Sequence, residues 1–395
     1  MVKDNKLKNP WRKYGSVCFE STITFSDNET ASMSYLDRIN ELKARLEAMG
    51  SPARLNIPFV EGRPPTQAYS EFMTNKEQGD WAERTFLENF NHFQDDLWTV
   101  RYGRSEDLVA GEPGFDTYYR LYQSELQEIG KRPDLLVFPR RAFLQVHGER
   151  IDISTIPRTE LDVLVPMAVA AIEVRSSAFL SARYDAFAEE SRARTKCDLQ
   201  ECARRLLLEF RAELDGTGSW IGYLERLVAD GIDPAADVPR AMGRKSTARL
   251  AEASALTKQI TGGLRTLSQR DFLSLTPKAE DLTLVYRWIQ KFNVPHHYCQ
   301  VFFDRAVMLS FEGILGILAD PDRENRDYRI ESDEKNQGKV TFKINVRLGR
   351  QVLANVAIPE HASAMKELPR GRLLFYVQFK SSRATLEANG MFGDE

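Results

Sequence analysis

The order of hydrophobic and polar residues along the chain predicts alternating helices and strands. Segment 35–49 is the first helix, because its apolar residues recur at helical spacing with charged residues between them. Further helices are predicted at 80–91, 118–129, 280–292 and 311–318. Short apolar segments predict strands at 97–102, 132–138, 164–174, 272–277 and 298–303. This alternation is typical of an α/β fold.

Two regions depart from that alternation. Segment 178–267 is rich in Arg, Glu, Leu and Ala with helical periodicity, which predicts a large helical insertion. In 339–348 apolar and polar residues alternate strictly, as in a strand with one buried face. Gly349-Arg350 would turn this strand into a second one at 352–358, and a strand at 373–379 would join them. The C-terminal part is therefore predicted to be a β hairpin region.

These changes of pattern divide the chain into five parts. We expect an N-terminal helical and loop region at 1–78, and a core whose two parts are 79–177 and 268–320. The helical insertion at 178–267 separates the two parts of the core, and the C-terminal β-rich region occupies 321–395.

Composition narrows the class of protein. The 395 residues contain no apolar run near the ~20 residues that cross a bilayer. The start of the chain lacks the apolar core of a secretory signal, so we expect a cytoplasmic protein without a membrane partner. The four cysteines, at 18, 197, 202 and 299, have no zinc-ligand spacing. The net charge of -3 gives no global sign of nucleic-acid binding, so local patches must carry any such function.

Two carboxylates lie at the ends of predicted strands. Asp134 opens one apolar segment, and Glu173 lies near the end of another. If the two strands pair, both acids can bind one divalent cation, since hard cations such as Mg²⁺ prefer oxygen ligands. Taken alone, each has an ordinary interpretation: Pro-Asp is common in turns, and Glu-Val-Arg is common at exposed strand edges.

A metal site of this kind can hydrolyse a phosphodiester bond. That reaction requires, besides the metal, a positively charged group that positions water and offsets negative charge. Arg175 follows Glu173 by two residues, but a guanidinium is too weakly acidic to lose its proton and act as a base. Lys278, at a predicted strand end before a helix, has an amine that suits either role. We prefer Lys278 and leave Arg175 as the alternative.

Pro133-Asp134 followed by Glu173-Val-Arg175 resembles the signature of PD-(D/E)xK nucleases, with arginine where lysine is usual. The surrounding segments are similar to those of AccI-type restriction endonucleases, over about 79–318 of the chain. They are Gly79-Asp-Trp-Ala-Glu83, Ile172-Glu-Val-Arg-Ser-Ser177, Leu275-Thr-Pro-Lys-Ala-Glu-Asp-Leu282 and Tyr298-Cys-Gln-Val-Phe-Phe-Asp304.

This resemblance implies an α-β-β-β-α-β nuclease core with a mixed sheet, Mg²⁺ dependence, and cleavage of a short, nearly palindromic site in double-stranded DNA. Glu83 matches an acid that the first helix of this core often adds to the metal site. A nearly palindromic site implies a homodimer, because two-fold DNA symmetry is matched by an isologous pair of subunits. Two alternatives remain: a structure-specific repair or recombination nuclease with the same core, and a non-catalytic DNA-binding protein, which the arginine at 175 would favour.

Two basic regions are candidates for DNA contact. One face of 339–347 carries Lys339, Lys343, Asn345 and Arg347, and such a row can read base edges in a groove or protect a sheet edge from aggregation. The arginines of the insertion, interspersed with acids, favour an ordinary solvated helix face; they include Arg204, Arg205, Arg240, Arg244, Lys245 and Arg249. His296 and His297 are expected in an ordinary loop.

Overall fold

The computed structural model describes residues 33–104, 108–215, 219–229, 231–232, 237–240, 242, 247–333, 339–387 and 392. Cys18, Arg244 and Lys245, which the sequence analysis names, lie outside the described residues, as does the segment 1–32. Residues 35–395 form one compact unit. Among the described helices, none is both long enough and apolar enough to cross a bilayer.

The first half of the chain supplies the strands that carry the candidate acids. In order, its elements are α1 (Tyr35–Ala48), α2 (Ser70–Phe93), β1 (Leu97–Arg101), α3 (Phe115–Ile129), β2 (Leu135–Pro139), α4 (Arg140–His147), α5 (Arg158–Leu164) and β3 (Ala170–Ser176). Four helices then fill the segment predicted as a helical insertion: α6 (Ser181–Glu209), α7 (Arg211–Asp215), α8 (Trp220–Ala229) and α9 (Ala248–Ser268).

The second half returns to alternation and ends in strands. Its elements are β4 (Ser274–Leu275), α10 (Ala279–Phe292), β5 (His296–Val301), β6 (Ala306–Ser310), α11 (Phe311–Leu318), β7 (Tyr328–Asp333), β8 (Lys339–Asn345), β9 (Arg350–Ala354), β10 (His361–Glu367), β11 (Leu373–Phe379) and β12 (Thr385–Leu386).

A mixed sheet of seven strands organises the fold, in the order β1-β2-β3-β5-β6-β9-β12. β3 and β5 are parallel, and the other neighbours are antiparallel. A parallel pair needs a crossover connection, and here that connection contains α6 to α10. The predicted mixed α/β fold is confirmed, and the insertion enters at its parallel crossover.

Helices cover both faces of this sheet, because each face presents apolar side chains that must leave water. On one face, α10 and α11 pack with Trp288, Phe311 and Tyr298 in the larger core cluster. On the other, α2 packs Trp81 and Phe86 against β2, β3 and β5. The helices α6 to α9 have a separate apolar cluster, so the insertion is stabilised by its own core.

Two predictions about strands were wrong in detail. Residues 164–169 are not strand: Leu164 ends α5 and Val165–Met167 form a 3-10 turn. An apolar run fits a buried helix end as well as a strand, so hydrophobicity alone does not separate them. The segment 272–277 contributes only the two-residue β4, which pairs with β8 in a small sheet and not with the central one.

The predicted pairing of the C-terminal strands was also wrong. β8 pairs with β7 and β4, Val346–Leu348 forms a 3-10 turn after it, and β9 joins the seven-stranded sheet. The strand at 373–379 exists as β11, but it forms a hairpin with β10. Alternation identifies a strand and its buried face, whereas its partner depends on packing that a local pattern does not contain.

Candidate active site

The two candidate acids lie side by side on neighbouring strands. β2 and β3 pair antiparallel with Leu135 opposite Ile172, so one further step of the register places Asp134 opposite Glu173. The Oδ2 atom of Asp134 accepts a hydrogen bond of 2.7 Å from the backbone N–H of Val174. This bond ties the acid that precedes β2 to the strand that carries the other acid. Both side chains line the same cleft, whose volume is about 270 Å³.

A close backbone approach fixes Asp134. The N–H groups of Tyr102 and Gly103 each donate a hydrogen bond of 2.9 Å to the carbonyl oxygen of Asp134. A Cβ atom at Gly103 would lie only 3.0 Å from the Cα atom of Asp134. Residue 103 therefore has to be small for the chain after β1 to pass this close to the acid.

The pKa values of the two acids are shifted in opposite directions. Burial raises the pKa of Asp134 well above its usual value, and the charges of Glu173 and Glu83 add to that shift. Glu173 is 1 % exposed, and burial alone would raise its pKa too. Lys131 and Arg175 outweigh that effect and hold the pKa of Glu173 below its usual value. Without a bound cation, Glu173 therefore loses its proton more readily than Asp134 does.

Lys131 is the functional candidate that the sequence analysis missed. Its amine contacts Oε1 of Glu173, and it lines the cleft with both acids. Its backbone N–H donates a hydrogen bond of 3.2 Å to the carbonyl oxygen of Leu284 in α10, which anchors the residue just after α3. The available signal was position: Lys131 stands three residues before Asp134, and so near the same strand end.

Arg175 bridges the strand to a helix. Its Nη2 atom lies 3.1 Å from Oε1 of Glu173 and 3.5 Å from Oδ2 of Asp281, in the first turn of α10. These acids raise the pKa of Arg175 further, although burial opposes them. A permanently charged guanidinium held in this way stabilises negative charge but accepts no proton.

Glu83 approaches the same cleft from α2. Its Oε2 atom lies 3.1 Å from Nη2 of Arg101, which is also 3.5 Å from Oδ1 of Asp80. Burial raises the pKa of Glu83, and Asp80 and Glu173 add to the effect while Arg101 opposes it. The structure thus brings Glu83, Asp134, Glu173 and Arg175 to one cleft, as the sequence predicts for a site.

Lys278 is not among the residues that line this cleft. It is exposed at the start of α10, where its backbone forms a β-bridge with Thr341. The structure therefore places Lys131, and not Lys278, beside the acids.

The basic row of β8 is largely engaged with acids. Lys339 lies 4.0 Å from Glu280, and Lys343 lies 3.6 Å from Glu331. Arg347, in the turn after β8, has its guanidinium 2.8 Å from Asp185, and its backbone N–H donates a hydrogen bond to the side chain of Asn345. Contact between this basic row and DNA remains a prediction, and it requires these ion pairs to open. In the insertion, Arg205 and Arg249 also pair with acids.

His296 and His297 are not loop residues, because β5 begins at His296. The His296 ring lies among the rings of Trp288, Tyr298 and Phe311. Burial lowers the pKa of both histidines, that of His297 to about 4. Both are neutral at neutral pH, and His296 is fully buried in the core.

The acids suit a hard divalent cation. No group of three or more His, Cys, Asp or Glu side chains is preassembled as a ligand set in the part of the chain that the structure describes. However, Oε2 of Glu173 is buried without a hydrogen-bond partner among the described residues. A cation would satisfy this oxygen and relieve the repulsion that raises the pKa of Asp134. Asp134 and Glu173 therefore offer neighbouring carboxylate oxygens of the kind that a hard cation such as Mg²⁺ prefers.

Comparison with known proteins assigns the chain to a family. Comparisons with curated proteins and with solved structures gave no match. The family model described as AccI restriction endonuclease matches residues 33–393, nearly the whole chain. The acids at 134 and 173 and their surrounding cleft lie within the match. On this evidence, the chain belongs to the AccI restriction endonuclease family, whose members are type II site-specific DNA nucleases.

Proposed function

We propose that this protein is a Mg²⁺-dependent homodimeric endonuclease that cuts both strands of a short, nearly palindromic DNA site. The observation that supports the chemistry is the convergence of Asp134 and Glu173 on one cleft, with the amine of Lys131 in contact with Glu173. Family membership supports the substrate, double-stranded DNA.

We assign Asp134, Glu173 and Glu83 as the metal-binding carboxylates. When bound, Mg²⁺ would polarise the scissile phosphate and lower the pKa of a water molecule. Glu173 is already ionised beside Lys131 and Arg175, so it offers a charged oxygen without first losing a proton. Asp134 has to give up a proton that burial and two neighbouring acids favour. Activity should therefore fall as the pH is lowered, because Asp134 then keeps its proton.

The two cations have different roles in this proposal. Lys131 is our candidate for the amine that orients the attacking water, because three rotatable N–H donors can follow a moving partner. Arg175 supplies fixed positive charge where negative charge develops on the phosphate, and Asp281 holds its guanidinium in place. This assignment replaces Lys278 with Lys131.

A plasmid digest tests the proposed function. Wild type with Mg²⁺ should give discrete fragments with reproducible ends, and Asp134→Asn should give none. Asp116→Asn is the matched control, since Asp116 is an exposed acid on α3 that does not line the cleft. Salt-sensitive DNA binding without cleavage in Mg²⁺ or Mn²⁺ would instead support the non-catalytic alternative, and nicking without fixed ends would support a structure-specific nuclease.

The proposed dimer is tested separately. Sedimentation of the protein on a duplex that carries the mapped site should show two protomers per duplex. One protomer per duplex, combined with cleavage of both strands, would contradict the two-fold arrangement.

A further inference from the structure

Beside the acids, the cleft has a second and positively charged half. Arg104, which follows β1, and Arg132, which precedes β2, line it together with Glu125 of α3. Arg132 forms two contacts with Glu125, one of them 3.2 Å from Nη2 to Oε2, and Arg104 approaches the same carboxylate at 3.8 Å. Two guanidiniums thus share one carboxylate, which leaves one positive charge uncompensated within the group.

Each guanidinium also has one nitrogen without a hydrogen-bond partner among the described residues. The Nη1 atoms of Arg104 and Arg132 are buried and have no hydrogen-bond partner within the described part of the chain. The Arg132 side chain is only 10 % exposed, so water solvates it poorly. A buried donor without a partner is energetically costly, and more so when it is charged. Such a cost points to a partner that binds here.

Aromatic rings fix the orientation of both guanidiniums. Arg132 lies over the ring of Tyr102 at 5.2 Å, and Arg104 lies over the ring of Tyr118 at 5.6 Å. Stacking of this kind limits the planes in which the N–H groups can point. The orientation of each guanidinium is therefore restricted before an anion binds, which lowers the cost of ordering it.

Their position relative to Asp134 identifies the anion. Arg132 stands two residues before Asp134, and Arg104 follows Gly103, which packs directly against the Asp134 backbone. A strand held with its scissile phosphate at Asp134 would place its next phosphate one nucleotide away, about 3.4 Å further along the helix axis. Arginine is suited to this ligand because its fork of N–H groups matches phosphate oxygens.

We propose that Arg104 and Arg132 form a subsite for the DNA phosphate adjacent to the scissile one. The subsite holds the strand in register over the acids, while base contacts elsewhere select the sequence. This inference rests on the proposed nuclease function and adds a named backbone contact to it.

The test combines protein variants with a neutralised substrate. On a duplex that carries the mapped site, the phosphate on either side of the scissile one is replaced, one at a time, by an uncharged methylphosphonate. Single-turnover cleavage of each duplex is measured for wild type, Arg104→Met and Arg132→Met. Arg120→Met is the control, since Arg120 is exposed on α3 and does not line the cleft.

For wild type, one of the two neutralised duplexes should be cleaved at least about tenfold more slowly than the native duplex, since a charge-assisted contact is lost. In Arg104→Met and Arg132→Met this penalty should shrink to about threefold or less, because the contact is already absent. Arg120→Met should keep the full penalty. Thermal unfolding identifies any variant that does not fold, and Arg132→Gln then replaces Arg132→Met, as it removes the charge but keeps a polar side chain.

Equal penalties in wild type and both variants, or no penalty at either position in wild type, would overturn the subsite. Failure of the proposed function looks different, because wild type would then not cleave the native duplex at all.

Discussion

The amine of Lys131 contacts Oε1 of Glu173, although the two residues lie 42 positions apart in the sequence. Lys131 lies outside the strand that carries Glu173 and Arg175, because its backbone N–H donates a hydrogen bond to the carbonyl oxygen of Leu284 in α10. The position two residues after Glu173 is thus occupied by an arginine, while an amine reaches the same carboxylate from the segment before β2. The positive charge at the site comes from two elements.

The first prediction separates Lys131 from Lys278. Lys131→Met should reduce the single-turnover cleavage rate by about 10²-fold or more, the usual effect of losing a positioned catalytic side chain. Lys131→Arg should restore only part of this loss, because a guanidinium has a different shape and accepts no proton. Lys278→Met should stay within about threefold of wild type, because Lys278 is exposed and does not line the cleft.

The comparison has a clear opposite outcome. A large loss in Lys278→Met, with near-normal cleavage by Lys131→Met, would restore the assignment that the sequence alone favoured.

The second prediction concerns the glycine that places Lys131. Gly130 has a φ of +81°, and a Cβ atom there would lie 2.0 Å from the carbonyl oxygen of Leu284. Gly130→Ala should therefore push the end of α3 away from α10, with a loss of several kcal/mol in the free energy of unfolding. The same shift should displace Lys131 and lower the cleavage rate even at temperatures where the variant is folded.

Gly148→Ala is the matched control for this prediction. Its φ is +63°, but no atom lies within 4 Å of the position that a Cβ would take. It should lose only about 1–3 kcal/mol, the cost of holding alanine at a positive φ with the ψ of -161° found here. Urea unfolding of both variants makes the comparison, and equal losses would show that contact with α10 is unimportant.

Much of the fold and part of the candidate site could be predicted from the sequence. The helical pattern at 280–292 predicted α10, which runs from Ala279 to Phe292, because apolar periodicity directly records which face is buried. Asp134 and Glu173 were predicted as site residues because polar residues stand at the ends of apolar strands, and the structure brings the two side chains to one cleft. Lys131 was not found, since its role depends on the Gly130 turn and on a contact with α10 that no local pattern encodes.

The pairing of β8 shows the same limit. Its alternation correctly predicted that Phe342 and Ile344 are buried. The turn at 346–348 separates it from β9, so two consecutive strands enter different sheets. Asn345, which the sequence predicts as a possible base contact, caps that turn in the structure, a contact that no local pattern revealed.

The third prediction is that the acid at 134 destabilises the protein when no cation is bound. Because burial and neighbouring acids raise its pKa, the folded state holds a proton that the unfolded chain releases, and stability falls as pH rises through that interval. Asp134→Asn removes this cost and keeps an oxygen for the N–H of Val174. At pH 7.5 with EDTA, its Tm should exceed that of wild type by about 2 °C or more.

Mg²⁺ should reverse the order of the two proteins. It binds the folded wild type and should raise its Tm, whereas Asp134→Asn, which lacks one carboxylate, should respond weakly. Asp116→Asn should match wild type in both conditions. A lower Tm for Asp134→Asn in EDTA would mean that the charge at 134 is stabilising, against the electrostatic account of the site.

The fourth prediction concerns acid stability. His296 and His297 are held neutral by burial, with the pKa of His297 lowered to about 4, whereas unfolded histidine has a pKa of about 6.5. Below about pH 6.5 the unfolded chain gains protons that the folded state excludes, so stability is lost as pH falls through this window. One such histidine costs about 2 kcal/mol between pH 6.5 and pH 5.

His296→Leu has a similar volume, keeps the backbone N–H that donates a hydrogen bond to Tyr35, and leaves no unpaired ring nitrogen. The loss of unfolding free energy between pH 7.5 and pH 5, measured with urea, should therefore be about 2 kcal/mol smaller in His296→Leu than in wild type, while the exposed control His361→Gln should show the wild-type loss. An unchanged loss in His296→Leu would show that acid sensitivity arises elsewhere, since this histidine would then be free to take up its proton in the folded core.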